Sequence, residues 1–262
     1  MSLKLLQRIT MLVFAVTLLA FVGLKLYTIR MVDRTPPVIV FDSDVVEVGV
    51  GAADDVLLAG VTATDDRDGD ITDDIMIKGV SQLITADCAK VTYIAFDSAN
   101  NMTTASRTVR YTDYEKPRFA LTSPLIFPTG GQVSILEQLT ARDVVDGDLS
   151  GSIRVTTQNV DIARAGVYSV TVQVTNSLGD VESLPLKVTM TDSGRTAPQV
   201  TLSSYIVYRK VGQGFNPLGY ITAPANTGSV TIDSNVDTDR AGIYEVTYTC
   251  QGDTVYQTVV VR

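Results

Sequence analysis

Asp65, Asp66, Asp68, Asp70, Asp73 and Asp74 crowd six carboxylates into ten residues. A hard cation such as calcium takes roughly six to eight oxygens, and carboxylates clustered in a turn supply several of them. Asp65, Asp66, Asp68 and Asp70 are the candidate ligands, with calcium the candidate cofactor. The spacing is not that of an EF-hand: with Gly69 at loop position 6, position 1 falls on Thr64 and position 12 on Ile75. The competing reading is a polar turn, in which Asp side chains accept from nearby backbone N–H groups and Gly69 supplies a positive φ. Asp143, Asp146 and Asp148 repeat part of the set. A second kind of chemistry is aromatic. Tyr205, Tyr208, Phe215 and Tyr220 lie close together in the sequence, and sugar-binding surfaces combine an aromatic platform with polar groups; the alternative is that Phe215 and Tyr220 fill a core.

What is missing restricts the chemistry further. The 262 residues contain no histidine and no tryptophan. Without histidine the chain lacks the commonest general base, the usual partner of a Ser or Cys nucleophile and the commonest zinc ligand. Cys88 and Cys250 are too few and too far apart for a CxxC site or a disulfide framework; Cys250 shares the phase of Val246 and Tyr248 and reads as a small core residue. The expectation is that the protein is not an enzyme. A hydrolase working through a carboxylate pair is the less favoured alternative, since retaining glycosidases need only two carboxyl groups about 5 Å apart.

The elements that must hold these residues begin with an apolar run from Ile9 to Leu24, extended past Lys25 to Ile29. As a helix with Lys25 snorkelling, it is long enough to cross a hydrocarbon layer of about 30 Å. A cleavable signal peptide is the rival, but cuts after Ala20 or Gly23 would place Leu18 or Phe21 where a small residue is needed. An uncleaved signal anchor is therefore expected, and with no sorting motif after Val261-Arg262 it is expected to be the sole one. Basic residues flank both ends, so the positive-inside rule gives little direction. Beyond residue 34 the chain carries 28 of its 29 acidic residues but only 16 of its 21 basic ones. That acidity excludes a nucleic-acid partner, whose phosphates need a basic surface. An acidic, cysteine-poor region behind one anchor reads as exported: a single-pass protein of the cell membrane with its C-terminal domains extracellular.

Three landmarks recur at one period. Asp33-Arg34-Thr35-Pro36-Pro37, Asp113-Tyr114-Glu115-Lys116-Pro117 and Asp192-Ser193-Gly194-Arg195-Thr196-Ala197-Pro198 place Pro37, Pro117 and Pro198 80 and 81 residues apart. Arg164-Ala165-Gly166-Val167-Tyr168 recurs as Arg240-Ala241-Gly242-Ile243-Tyr244, with a degraded copy at Ala86–Lys90. Asp68-Gly69-Asp70 recurs as Asp146-Gly147-Asp148. Within each unit apolar residues alternate with polar ones, as in Tyr168, Val170, Val172 and Val174, or Tyr244, Val246, Tyr248 and Cys250. In the first unit Ile94 and Phe96 add a second apolar face, which predicts a strand covered on both sides. Closing strands are expected over Ser106–Thr112, Leu184–Thr191 and Val255–Val261. The fold class is all-β: three tandem immunoglobulin-like Greek-key β-sandwiches preceded by one transmembrane helix. The expected boundaries are 1–32 for the cytoplasmic stub and anchor, then 33–113, 114–192 and 193–262. Proline-marked linkers of four to six residues leave little hinge freedom, and the junction acids Asp33, Asp113, Glu115 and Asp192 could bridge neighbours through a cation, as cadherin linkers do.

On these residues the chain resembles the bacterial immunoglobulin-like domains first named from a pesticidal crystal protein, with the hyalin-repeat domains a close second. The resemblance rests on Ala63-Thr64-Asp65-Asp66-Arg67-Asp68-Gly69-Asp70-Ile71 with Asp97-Ser98-Ala99-Asn100-Asn101, on Ala141–Leu149 with Ala165-Gly166-Val167-Tyr168, and on Ala241–Tyr248. It covers roughly residues 33–262. The first unit lacks the Gly-x-Tyr and the third the Asp-Gly-Asp. The resemblance implies a surface protein that acts as an adhesive or structural spacer, with a surface protein or a glycan as partner and the membrane held through the N-terminal helix. It brings no catalytic residues.

Overall fold

The computed structural model describes every residue except 1–2, 193–195 and 225, and at 30 and 31 the backbone alone. The chain opens with α1, Leu3–Met31, a helix of 29 residues. Within it Leu3–Ile29 is long and apolar enough to cross a membrane, and all 27 of these residues are exposed. At about 1.5 Å per residue this stretch is about 40 Å long.

The rest is β-structure, as expected. The first sandwich has strands β1 Val38–Phe41, β2 Val45–Val48, β3 Val61–Asp65, β4 Gly69–Asp70, β5 Met76–Val80, β6 Cys88–Phe96 and β7 Met102–Tyr111. One sheet has the order β1-β3-β4 and the facing sheet β2-β7-β6-β5. The opening strand therefore changes sheets: β1 pairs antiparallel with β3, and β2 runs parallel to β7. The second sandwich repeats this with β8 Arg118–Leu121, β9 Ile126–Pro128, β10 Leu139–Asp143, β11 Gly147–Asp148, β12 Arg154–Gln158, β13 Gly166–Thr175 and β14 Val181–Thr191, in sheets β11-β10-β8 and β12-β13-β14-β9. The third is reduced. Its strands are β15 Thr201–Leu202, β16 Ile206–Arg209, β17 Ile221–Ala223, β18 Thr231–Ser234, β19 Gly242–Cys250 and β20 Asp253–Val261, and β15 pairs with β17 alone opposite β16-β20-β19-β18.

Strand alternation builds the cores. Ala89, Val91, Tyr93 and Ala95 of β6 are fully buried, as are Val170, Val172 and Val174 of β13 and Val246, Tyr248 and Cys250 of β19. Two expectations need correction. Ile94 is half-buried and Phe96 is exposed, so the outer face of β6 is not covered: its apolar residues stand on the solvent side of a central strand. The closing strands begin two to four residues earlier than expected, because stretches of mainly polar residues such as Met102–Ala105 still pair with the preceding strand, here with Tyr93–Phe96 of β6. A five-residue helix, α2 Asp54–Leu58, buries Leu57 against the first core.

The repeated Arg-Ala-Gly-x-Tyr has a local cause. The hydroxyl of Tyr168 donates to the Arg164 carbonyl at 3.0 Å, and that of Tyr244 to Arg240 at 2.9 Å. Each ring lies over its glycine: a Cβ on Gly242 would meet the Tyr244 ring at 3.2 Å. In the first sandwich the strand register places Asp87 and Ala89 at the corresponding positions, one residue before the expected Cys88 and Lys90, and the motif cannot form.

The chain forms two compact units, residues 1–48 with 52–111, and 49–51 with 112–262. The second unit contains the second and third sandwiches, which share one continuous buried core from Phe119 to Val261. Their junction is thus a packed interface in addition to a short proline-marked linker. The expected boundary at 193 lies outside the described residues.

Candidate functional site

The turn after β3 is shaped by its aspartates. Asp65 Oδ1 accepts from the backbone N–H groups of Arg67 (2.9 Å) and Asp68 (3.0 Å), and Gly69 has φ 76°. Asp70 Oδ1 accepts from Thr72 N at 3.0 Å. Asp68 is used across the sandwich end, where its two oxygens accept from Ser98 N (2.7 Å) and Ser98 Oγ (2.8 Å). The second sandwich reproduces the arrangement: Asp143 accepts from Val145 N and Asp146 N, Gly147 has φ 72°, and Asp146 accepts from Ser177 N at 2.6 Å. The polar-turn reading therefore accounts for Asp68 and Asp70, which are engaged in hydrogen bonds of the turn.

The carboxylates that converge are a different set. One oxygen each of Asp33, Asp65 and Asp66 lie within 4.8 Å of one another. Asp65 is 9% exposed, and its Oδ2 is buried with no hydrogen-bond partner among the described residues. The Asp33 side chain is 8% exposed; its Oδ1 accepts from Thr35 N at 2.9 Å and its Oδ2 is 3.6 Å from Arg67 Nε. Asp33 was expected at a junction between units; here it joins the turn of the first sandwich. Asp73 and Asp74 are exposed in the 3-10 turn that follows.

Three of these carboxyls sit below the usual range. Asp65 is lowered by the backbone N–H of Asp68 and then of Arg67, Asp70 by the hydroxyl and then the N–H of Thr72, and Asp148 by the hydroxyl and then the N–H of Ser150. For such groups the stabilisation is present above the unfolded value of about 3.9 and is lost as pH falls through the folded value. Chemical denaturation between pH 6 and pH 2.5 should show a falling acid limb below about pH 4, and Asp148→Asn should flatten part of it. An unchanged acid limb in that variant would deny Asp148 this role.

The aromatic set does not form one surface. Tyr205 is 2% exposed and belongs to the core, its hydroxyl accepting from Leu202 N at 3.2 Å. As a ligand-contacting residue it is corrected: it occupies the apolar phase just before β16. Phe215 and Tyr220 stack on each other at 5.6 Å, half-buried against the core, and Tyr220 is bonded to Arg209. At the junction of the second and third sandwiches, where the Tyr205 backbone N–H donates to the Leu121 carbonyl at 2.9 Å, Tyr208 contributes its side chain. Its hydroxyl accepts from Phe119 N at 2.9 Å, and its ring lies under Arg262 (4.7 Å) and Arg118 (5.5 Å). Burial pushes its phenol up to about 12.

Tyr208 also lines a groove that the sequence did not announce. It measures about 430 Å³ and is bordered by Lys116, Arg118, Arg209, Lys210 and Arg262, with Tyr114 and the acidic Glu115. Its cations are partly compensated: Arg118 by Glu115 at 2.9 Å, Lys116 by Asp180 at 3.5 Å and Arg262 by Glu182 at 3.3 Å. Burial raises the Glu182 carboxyl, while Arg262 and Lys116 act against that shift. Arg209 Nε is buried without a hydrogen-bond partner among the described residues, while Arg262 Nη1 is the atom that faces Glu182. The basic residues come from three chain segments, which hid the concentration of charge in an acidic sequence.

Fold and site define a run of immunoglobulin-like β-sandwiches behind one apolar helix. No known protein-family model matches the chain. A stretch of 120 residues is 33% identical to the pesticidal crystal protein Cry22Aa of Bacillus thuringiensis, covering 42% of this chain and 16% of that protein. The chain thus spans 16% of the length of that curated relative. Among solved structures, it is similar to a Clostridium perfringens ZmpB catalytic domain with its CBM51-1 and CBM51-2 domains, at 10% identity and a TM-score of 0.27, covering 86% of this chain and 42% of that one. The protocadherin gammaB4 extracellular domain gives 12% identity and a TM-score of 0.21, covering 87% and 50%.

Proposed function

We infer that the chain is a non-catalytic, membrane-anchored bacterial surface protein of the immunoglobulin-like family named above. It acts as an adhesive spacer: its helix holds the membrane, and its sandwiches present a binding surface outside the cell. The observation that carries the reading is the cationic groove between the second and third sandwiches. Five basic side chains converge there in a chain of net charge −8, and Arg209 Nε is buried without a hydrogen-bond acceptor among the described residues, a costly arrangement that an anionic group would relieve. The volume lies within the range of small-ligand sites, about 300–1,000 Å³, and two tyrosines line it. An acidic oligosaccharide fits this combination of charge, size and aromatic rings. The fully exposed 27-residue apolar stretch of α1 supports the anchor.

Two measurements test the reading. Alkaline carbonate should leave the full-length chain in the membrane fraction, and protease added to intact cells should degrade the sandwiches; release by carbonate or protection from protease would overturn the placement. On an array of uronic-acid-bearing and neutral oligosaccharides, the detergent-solubilised chain should prefer the acidic ones. The Arg209→Ala/Lys210→Ala variant should bind them at least tenfold more weakly. No binding, or binding indifferent to these changes, would remove the glycan and leave the spacer role.

A further inference from the structure

The first two sandwiches carry the same turn in the same place and differ by a reciprocal exchange at its two ends, Asn176 and Asp180 in the second against Asp97 and Asn101 in the first. In the second sandwich, Asn176 begins the β13–β14 turn. Its Oδ1 accepts from Asp180 N at 2.8 Å, and its Nδ2 donates to Asp143 Oδ2 at 2.9 Å. Both oxygens of Asp143 are therefore satisfied. In the first sandwich the corresponding residue, at the start of the β6–β7 turn, is Asp97. Its Oδ1 accepts from Asn101 N at 2.7 Å, reproducing the first bond, and its Oδ2 accepts from Asn101 Nδ2 at 2.7 Å. A carboxylate cannot donate. Asp65, the counterpart of Asp143, accordingly has an unpartnered, buried Oδ2.

Asp97 thus takes away the donor that serves Asp143 and, with Asn101 standing where the second sandwich has Asp180, moves the turn's carboxylate from its last position to its first, at an end of the sandwich that already holds Asp33 and Asp66 beside Asp65. The Asp33 side chain is 8% exposed, though the residue as a whole is half-buried, and Asp65 is 9% exposed. Arg67 Nε lies 3.6 Å from Asp33 Oδ2 and its charge also acts on Asp65, but Asp65 Oδ2 receives no hydrogen bond among the described residues. Carboxylates crowded in this way repel one another, and a buried acceptor without a donor costs about 1–3 kcal/mol in general. Both costs vanish if a cation occupies the gap.

We propose that Asp33, Asp65 and Asp66 bind one calcium ion, with Asp65 Oδ2 as the central ligand and Asp97, a carboxylate where Asn176 offers an amide donor, distinguishing this turn from its hydrogen-bonded counterpart in the second sandwich. An all-oxygen donor set on a turn that is open on one side, at Asp66, leaves room for waters and suits calcium, whereas magnesium demands a near-ideal octahedron and gives up its water reluctantly. The site needs Asp33 from before β1 and Asp65 and Asp66 from the end of β3, so occupancy ties the segment that follows α1 to the first sandwich.

The test is isothermal titration of the full-length chain in detergent with calcium chloride, beside thermal unfolding in 2 mM calcium or in chelator. One calcium per chain is expected, with an upward shift of the first unfolding transition. Asp65→Asn should abolish the binding. Asp97→Asn should weaken it at least tenfold and yet leave the chain folded in chelator, because the new amide reproduces the bonds of Asn176. Asp70→Asn, removing a carboxylate tied to Thr72, should change the affinity less than threefold. Absence of calcium binding by the native chain at millimolar concentration overturns the proposal whatever the variants do, and so does binding that survives both Asp65→Asn and Asp97→Asn.

Discussion

Replacing Arg107 by leucine should destabilise the first sandwich by about 3–5 kcal/mol, the penalty for breaking a buried, hydrogen-bonded charge. The side chain is only 2% exposed, inside the β2-β7-β6-β5 sheet. Its Nη2 donates to the carbonyls of Leu57 (2.9 Å) and Ala59 (2.6 Å), its Nε to the hydroxyl of Tyr93 (2.9 Å), and its guanidinium lies 5.6 Å from the rings of Phe41 and Tyr93. Its carboxylate partner, Asp42 at 3.5 Å, is largely in water, so carbonyl dipoles and aromatic faces do most of the compensation. Leucine would strand the Ala59 carbonyl; Leu57 would keep the Tyr93 hydroxyl at 2.5 Å.

The other two sandwiches show what can stand in this place. Tyr93 faces Ala105 across the hairpin, and Arg107 lies two residues on; the corresponding pairs are Val172 with Leu186 and Tyr248 with Gln257. In the third sandwich Gln257, fully buried, accepts from Tyr248 at 2.8 Å and donates to the Ser204 carbonyl at 2.7 Å. In the second the pair is apolar. A Tyr93→Val/Arg107→Leu double variant copies that solution and should lose at least about 1 kcal/mol less than the sum of the single variants. Urea denaturation of the four proteins of the cycle measures the coupling, and additivity within about 0.5 kcal/mol would show that the two side chains act independently.

The second large effect is expected at Tyr208. Truncation to alanine should cost about 3 kcal/mol, the lower end of the range for a buried aromatic because this ring is half-buried. The loss falls on the interface of the second and third sandwiches. Arg262 and Arg118 lose the ring between them, and Phe119 N loses its acceptor. Arg262 still reaches Glu182 and the Lys116 carbonyl, so the interface should loosen without coming apart. Calorimetry should resolve the unfolding of the second and third sandwiches into separate steps in this variant, where the native pair, with its continuous core, unfolds as one. Tyr208→Phe keeps the ring and removes the hydroxyl, and should cost about 1 kcal/mol. A native-like single transition in Tyr208→Ala would mean that the shared apolar core alone holds the two together.

Much of this architecture follows from local pattern. Alternation with a period of two names the buried face of β6, β13 and β19, because successive side chains on a strand point to opposite faces. The Asp-Gly-Asp turns were legible for the same kind of reason: a short Asp side chain beside a glycine of positive φ closes a turn through atoms two or three residues apart. The 80-residue period gave the count of sandwiches, and Cys250 was placed in the core by its phase. The outer face of β6 was misread because an apolar residue on a strand says that burial is possible, while the presence of a covering layer is decided elsewhere in the chain.

The site depended on that remote part. Asp33 lies 32 residues before Asp65, and only the pairing of β1 with β3 brings them within 4.8 Å. The sequence offered Asp68 and Asp70 as equal candidates, but the folded chain spends them on Ser98 and Thr72. Tyr205 and Tyr208 differ by three positions and both adjoin the second sandwich, but one ring is buried in the core and the other lies between two arginines, its hydroxyl bonded to a residue almost ninety positions upstream. The basic groove and the burial of Arg107 have the same origin. Local spacing fixes backbone geometry, so turns, strand faces and repeats are written in the sequence; which charges share one space is fixed by strand pairing over long separations, and that only the tertiary structure decides.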